Sequence, residues 1–172
     1  MNVDSTYFDS GIMLVPNQTS IVGGVTLTSN KDELNKYIAR YGVAFMKRLL
    51  GSLYEDYTEN PTSEKWVALN AKLFDTTLKI SPIANYVFFF YYNQSTRRNT
   101  GAGVTVQKVE NAVTVTNGRL CEVWNEMVSM MTNGVDGVLD WLSESAQVET
   151  YQFDHTTTKW NEFTSYMNEL GI

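Results

Sequence analysis

The segment Ser81-Pro-Ile-Ala-Asn-Tyr-Val-Phe-Phe-Phe-Tyr-Tyr92 constrains the fold of this chain more than any other. Composition alone would allow a strand. A hydroxyl residue followed by proline, however, is a helix start signal: the serine caps the helix, and the proline takes the first helical position, where its missing N–H costs nothing. The sequence therefore predicts a helix from Pro82. Apolar residues occupy every side of it, and such a helix must be covered all round. It is either the central helix of a bundle or one whose outer face is buried by a partner. The apolar run is about half the ~20 residues that a membrane-spanning helix needs, so no span and no membrane partner is expected.

The same reading extends to both sides of this segment. Asn30, with Glu33 three residues on, forms a capping-box pattern. Leu34, Tyr37, Ile38, Tyr41, Phe45, Met46, Leu49 and Leu50 then recur at three- and four-residue steps until Gly51 supplies a stop. Ser52 to Asn60 reads as a polar connection, and Pro61 opens a second helix through Trp66, Leu69, Leu73 and Phe74. Asn117 can cap a helix with Leu120, Trp124, Met127, Val128 and Met131 on one face. Two more helices are expected, Val135 to Ala146 and Thr158 to Leu170, the last carrying Trp160, Phe163 and Met167. Trp66, Phe89, Trp124 and Trp141 are expected in the core.

Two regions read as extended. The first 30 residues hold Gly11, Pro16, Gly23 and Gly24 with short apolar stretches, and such a peptide needs a surface to lie on. Val104-Thr-Val106 and Val113-Thr-Val-Thr116 alternate apolar and polar residues around Glu110-Asn111, the pattern of a hairpin. A two-stranded hairpin is only marginally stable alone and should pack on the bundle or on another subunit. The expected architecture is thus mainly α: a bundle of about five to six helices over 30–172, an extended N-terminal arm over 1–29, and a β-hairpin-like insertion or loop within 99–117.

Charge is unevenly distributed. Residues 31–119 carry twelve Lys or Arg against eight Asp or Glu, while residues 120–172 carry Lys159 alone against nine acids. Such asymmetry favours head-to-tail contact between copies, although a solvated acidic face accounts for it equally well. The net charge of -6 argues against a dedicated nucleic-acid binder. No Lys or Arg precedes Lys31, so the N-terminus lacks the basic region of a signal peptide and synthesis in a cytoplasm is expected.

Residues of catalytic type are few. His155 is the sole histidine and lies beside Asp154, but a triad is made in space and needs a placed nucleophile and oxyanion donors. Cys121 is the sole cysteine, which excludes an internal disulfide and a thiolate zinc site. Asp136, Asp140 and Glu144 fall along one helical stripe, and Glu122 and Glu126 along another. Straight stripes do not converge on a cation, and solvated faces explain both. Gly23-Gly24 and Gly101-Ala-Gly103 lack the spacing and lysine of a phosphate loop. No catalytic, cofactor or metal residues are therefore assigned. The candidate interface residues are Arg97, Arg98, Val104, Val106, Val113 and Val115, with Ile12 and Leu14 from the arm.

The order Ser81-Pro-Ile-Ala-Asn-Tyr-Val-Phe, Thr100-Gly-Ala-Gly, Glu110-Asn-Ala and Trp124-Asn-Glu-Met127 resembles the head-tail connector, or adaptor, family of tailed phages. The similarity is to small virion proteins of Bacteroidales and crAss-like phages. It spans residues 30–131 and consists of spaced short words rather than one diagnostic motif. It implies a helical subunit of the virion neck, assembled as a ring commonly of about twelve copies. Such a ring would contact the portal and tail or further neck proteins, and DNA only passively. A tail-completion or tail-terminator ring fits the same composition. Rivals from other classes are a small virion-associated enzyme using Glu122, Glu126 or Asp140, and a host-directed binding module working through aromatic surface.

Overall fold

Helices dominate this computed structural model, which describes residues 3–16, 18, 20–22, 25–27, 29–95, 97–100, 103–106 and 117–168. At 20–22, 25–27, 29, 95, 97–100, 103–106, 117 and 135 the description covers the backbone alone. Two single 3-10 turns, Ser5–Phe8 and Gly11–Met13, come first. An antiparallel ribbon follows, β1 (Ser20–Val22) with β2 (Val25–Leu27). Helix α1 (Ser29–Tyr37) passes through a wide π-helical turn (Ile38–Gly42) into α2 (Val43–Leu50). Then come α3 (Tyr54–Glu59), α4 (Glu64–Leu73) and α5 (Pro82–Ser95). A second antiparallel ribbon, β3 (Arg97–Thr100) with β4 (Gly103–Val106), precedes α6 (Asn117–Thr132). Two short helices, α7 (Val138–Ser143) and α8 (Ser145–Tyr151), and a 3-10 turn, Trp160–Phe163, complete the order. Among the described residues no helix is long and apolar enough to cross a membrane.

Helix α5 is the axis. The Ser81 hydroxyl oxygen accepts the Ile83 N–H at 3.2 Å, as the cap predicts. Every residue from Ser81 to Phe88 is buried, and Phe89, Phe90 and Tyr92 are partly so. Its cover comes from its own chain. Helix α6 lies antiparallel along one side: Arg119 reaches the Phe88 ring at 5.7 Å and Trp124 sits 4.8 Å from Phe89. Helices α1 and α2 run antiparallel along another, with Tyr37 on Tyr91, Tyr41 stacked on Phe90 at 4.4 Å, and Phe45 on Tyr86 at 5.4 Å. Each large apolar side chain fully buried here contributes roughly 1.5–3 kcal/mol, which makes α5 the main source of cohesion.

Three expectations are corrected. Residues 3–16 of the arm are built around two 3-10 turns instead of running extended, while 20–22 and 25–27 further along it are strands. Asp4 caps the first 3-10 turn through the Thr6 N–H, Gly11 takes φ +66° to start the second, and Val3, Tyr7, Phe8, Met13 and Val15 are buried in the protein's own core. A chain with that many apolar side chains folds back on the nearest groove instead of reaching outward. Second, Val104-Thr-Val106 pairs with Arg97–Thr100, a strand that the sequence pattern does not mark, while Val113–Thr116 lies outside the described residues. The two-residue connection at 101–102 makes the closer pairing the shorter loop closure.

Third, helix boundaries move. Ser52–Asn60 contains α3, and Pro61 lies in a turn before α4. The Asn30 amide binds the Pro16 carbonyl at 3.2 Å from within the first turn of α1 instead of capping it. The expected helix 135–146 is broken at Gly137 and Glu144, both with extended backbone angles. Of the expected helix 158–170 the described part holds only the 3-10 turn Trp160–Phe163.

Candidate functional site

One pole of the bundle collects most of the candidate interface residues. Helix α5 ends there, and β3 follows it one residue later. Helix α1 begins there, so the β1–β2 ribbon feeding it from Leu27 is at the same pole. Helix α6, antiparallel to α5, also starts there. Arg119 in its first turn donates to the Ile12 carbonyl, and to the Gly11 carbonyl at 3.4 Å, which anchors the second 3-10 turn beside it. Ile12 and Leu14 point outward, 38% and 46% exposed, while Met13 and Val15 between and after them are buried. Ile12 lies within the second 3-10 turn and Leu14 directly after it, and both leave aliphatic side chains on the surface.

Between these elements lies an apolar concavity of about 190 Å³ walled by Leu14, Val15, Pro16, Phe88 and Tyr91. Asn30 closes one edge through its bond to Pro16. The two ribbons differ from an ordinary sheet. Among the described residues each has only two strands, and the outer edges pair with no further described strand. Arg97 pairs in register with Val106, Arg98 with Thr105 and Asn99 with Val104, which places both arginines and both valines of the expected interface on one ribbon. Val113 and Val115 lie outside the described residues.

The acidic constellations do not converge. Asp136 lies in a 3-10 turn, Asp140 on α7, and Glu144 between α7 and α8, so the expected stripe is divided among three elements. Glu122 and Glu126 are exposed on α6, and Glu126 accepts from the Asn85 amide at 2.7 Å. Among the described residues no group of three or more His, Cys, Asp or Glu is placed to hold a metal ion. His155 is exposed, its ring edge-on to Trp160 at 5.5 Å. Cys121 is buried and its thiol donates to the Asn168 carbonyl at 3.0 Å. Burial pushes the hydroxyls of Tyr57, Tyr86, Tyr91 and Tyr151 above their ordinary range, because a phenolate is poorly solvated in an apolar core. The Thr6 hydroxyl beside Asp4 holds that carboxyl below its usual value.

Sequence reasoning missed a second concavity, at the far end of α2. Lys47 and Arg48 of its last turn meet Lys159 and Glu162 from the C-terminal region. Arg48 pairs with Glu162, and the Lys159 N–H donates to the Arg48 carbonyl at 2.8 Å. The adjacent pair Lys47-Arg48 was the only signal, because its partner is more than a hundred positions away. Comparison with protein-family models, with curated proteins and with solved structures finds no match for this chain.

Proposed function

We propose that this protein is a structural subunit of a phage neck, a head-tail connector that assembles as a ring between portal and tail and continues the DNA channel. The observation that carries the reading is the gathering at one pole of two ribbons that pair with no further strand among the described residues, the exposed Ile12 and Leu14, and an apolar concavity. Unpaired strand edges are templates for pairing with another chain, and a subunit that presents them at one end is suited to open-ended or ring association. The resemblance over residues 30–131 directs this general reading to the neck. In the ring, β3–β4 with Arg97 and Arg98 would reach an acidic neighbour, and the 3-10 turn bearing Ile12 and Leu14 would abut the portal or the next copy.

The test is assembly. Purified protein, alone and with the portal protein of the same genome, is examined by light scattering and electron microscopy. Rings that dock on the portal are expected. A monomer at all concentrations with no portal affinity would remove the proposal in favour of a binding module. Labelling in virions separates the connector layer from a tail-terminator position. The double reversal Arg97→Glu and Arg98→Glu should weaken assembly while leaving the monomer's unfolding midpoint in place. Equal loss of both would count against the ribbon as the contact.

A further inference from the structure

The basic concavity at the end of α2 goes beyond this reading. It measures about 400 Å³, and three cationic residues, Lys47, Arg48 and Lys159, line it with Thr157 and one acid, Glu162, in a chain whose net charge is -6. Lys159 is the sole cation of residues 120–172, yet the fold brings it to the one adjacent cationic pair of the first helical unit. Like charges held together cost energy unless a counter-charge completes them.

A helix C-terminus attracts cations through its free carbonyls, and here that explanation is already spent. The Lys47 carbonyl accepts from the Gly51 N–H, the Arg48 carbonyl from the Lys159 N–H at 2.8 Å, and the Leu49 carbonyl from the Trp160 indole at 2.8 Å. Glu162 engages Arg48, while among the described residues neither Lys47 nor Lys159 has a carboxylate within ion-pair distance. Lys47 lies 5.4 Å from the Tyr54 ring. The walls are fixed: Thr157 accepts the Ser52 N–H at 3.0 Å and itself donates to the Asp154 carbonyl at 3.0 Å.

We infer that this concavity is a binding site for a dianionic oxyanion of the phosphate class, held by Lys47, Lys159 and Nη2 of Arg48, whose Nε engages Glu162 and whose Nη1 donates to the Ala44 carbonyl at 3.2 Å. The full chain is titrated with inorganic phosphate, with phenyl phosphate as an ester source, and with chloride at matched ionic strength, followed by amide NMR shifts and thermal unfolding. Phosphate, but not chloride, should shift the amides of Arg48, Thr157 and Lys159 and raise the unfolding midpoint. A stronger response to phenyl phosphate identifies an ester as the source, and an equal response identifies free phosphate. Lys47→Gln with Lys159→Gln should lose at least about tenfold in affinity, the equivalent of one charge-assisted contact or more, while Lys36→Gln on α1 should not. Glu162→Gln removes the competing carboxylate and should tighten binding. Shifts spread over all lysines, an unchanged double variant, or weaker binding by Glu162→Gln would overturn the assignment.

Discussion

The Asn85 side-chain amide, buried in the first turn of the most apolar helix, donates to the Glu126 carboxylate at 2.7 Å and ties α5 to α6. It also donates to the Val123 carbonyl at 3.0 Å, while its own carbonyl oxygen has no partner among the described residues. An unpaired buried acceptor costs roughly 1–3 kcal/mol, which offsets most of what the two bonds contribute. Asn85→Leu, similar in volume, should therefore leave stability within about 1 kcal/mol of the parent in urea unfolding. Asn85→Asp places a second carboxylate against Glu126 in a buried site. It should cost about 3 kcal/mol or more at neutral pH, and part of that loss should be recovered as the medium is acidified and the new carboxyl takes up a proton.

Gly51 links α2 to the C-terminal region. Its φ of +55° is strained for any other residue, and a Cβ there would stand 2.4 Å from the Thr157 hydroxyl oxygen and 2.9 Å from the Thr157 backbone carbon. Gly51→Ala should lower stability by about 2 kcal/mol or more, through strain and displacement of the 157–158 backbone. Thermal unfolding by circular dichroism measures the loss.

Trp66 and Trp141 should respond differently. Trp66 is fully buried between Tyr151, stacked at 5.3 Å, and Tyr57, edge-on at 5.4 Å, whereas Trp141 is half-buried. Trp66→Ala should cost about 3–5 kcal/mol and Trp141→Ala distinctly less. The Trp66 indole N–H is buried without a partner among the described residues, so Trp66→Phe discards an unsatisfied donor and should cost less than half as much as the alanine change. Chemical denaturation of the three variants ranks them.

Alkaline titration should be cooperative with unfolding. Tyr57, Tyr86, Tyr91 and Tyr151 have hydroxyls held protonated by burial above the usual value near 10. Their folded values exceed the unfolded ones. The stability they contribute is therefore complete below about pH 10 and is lost as pH rises through the folded values. Tyrosine absorbance and circular dichroism recorded together should show these phenols ionising as the helices melt. Ionisation of all tyrosines with the helices intact would contradict their placement.

Much of the helical core was legible. Ser81-Pro82 and the periodic face of α6 are local signals, and both helices stand where those signals put them, because capping and a single apolar stripe are decided within a few residues. The C-terminal region was not. Trp160, Phe163 and Met167 have helical spacing, yet the Trp160 indole is held by the Leu49 carbonyl. The Asn125 side chain donates to the Met167 carbonyl at 2.8 Å and accepts the Met167 N–H at 2.7 Å. A side-chain amide thus supplies the pairing that a helix would have given, and no local pattern announces that. At the candidate pole the pairing of Val104–Val106 with Arg97–Thr100 was not foreseen, since alternation marks a strand without naming its mate. The basic concavity was invisible for the same reason, as its charges meet only after folding.

The π-helical turn Ile38–Gly42 works as a phase shifter in the longest amphipathic segment. Leu34, Ile38, Gly42, Met46 and Leu50 are all buried and recur every four residues, a step that overshoots a regular α-helical turn by about 40°. The wide turn winds more slowly and absorbs part of that drift, so the residues on either side of it address the same neighbour. Removing one residue from the turn would be a frame error in three dimensions: α2 would rotate by about 100° relative to α1, and Phe45 and Leu49 would swing away from the core.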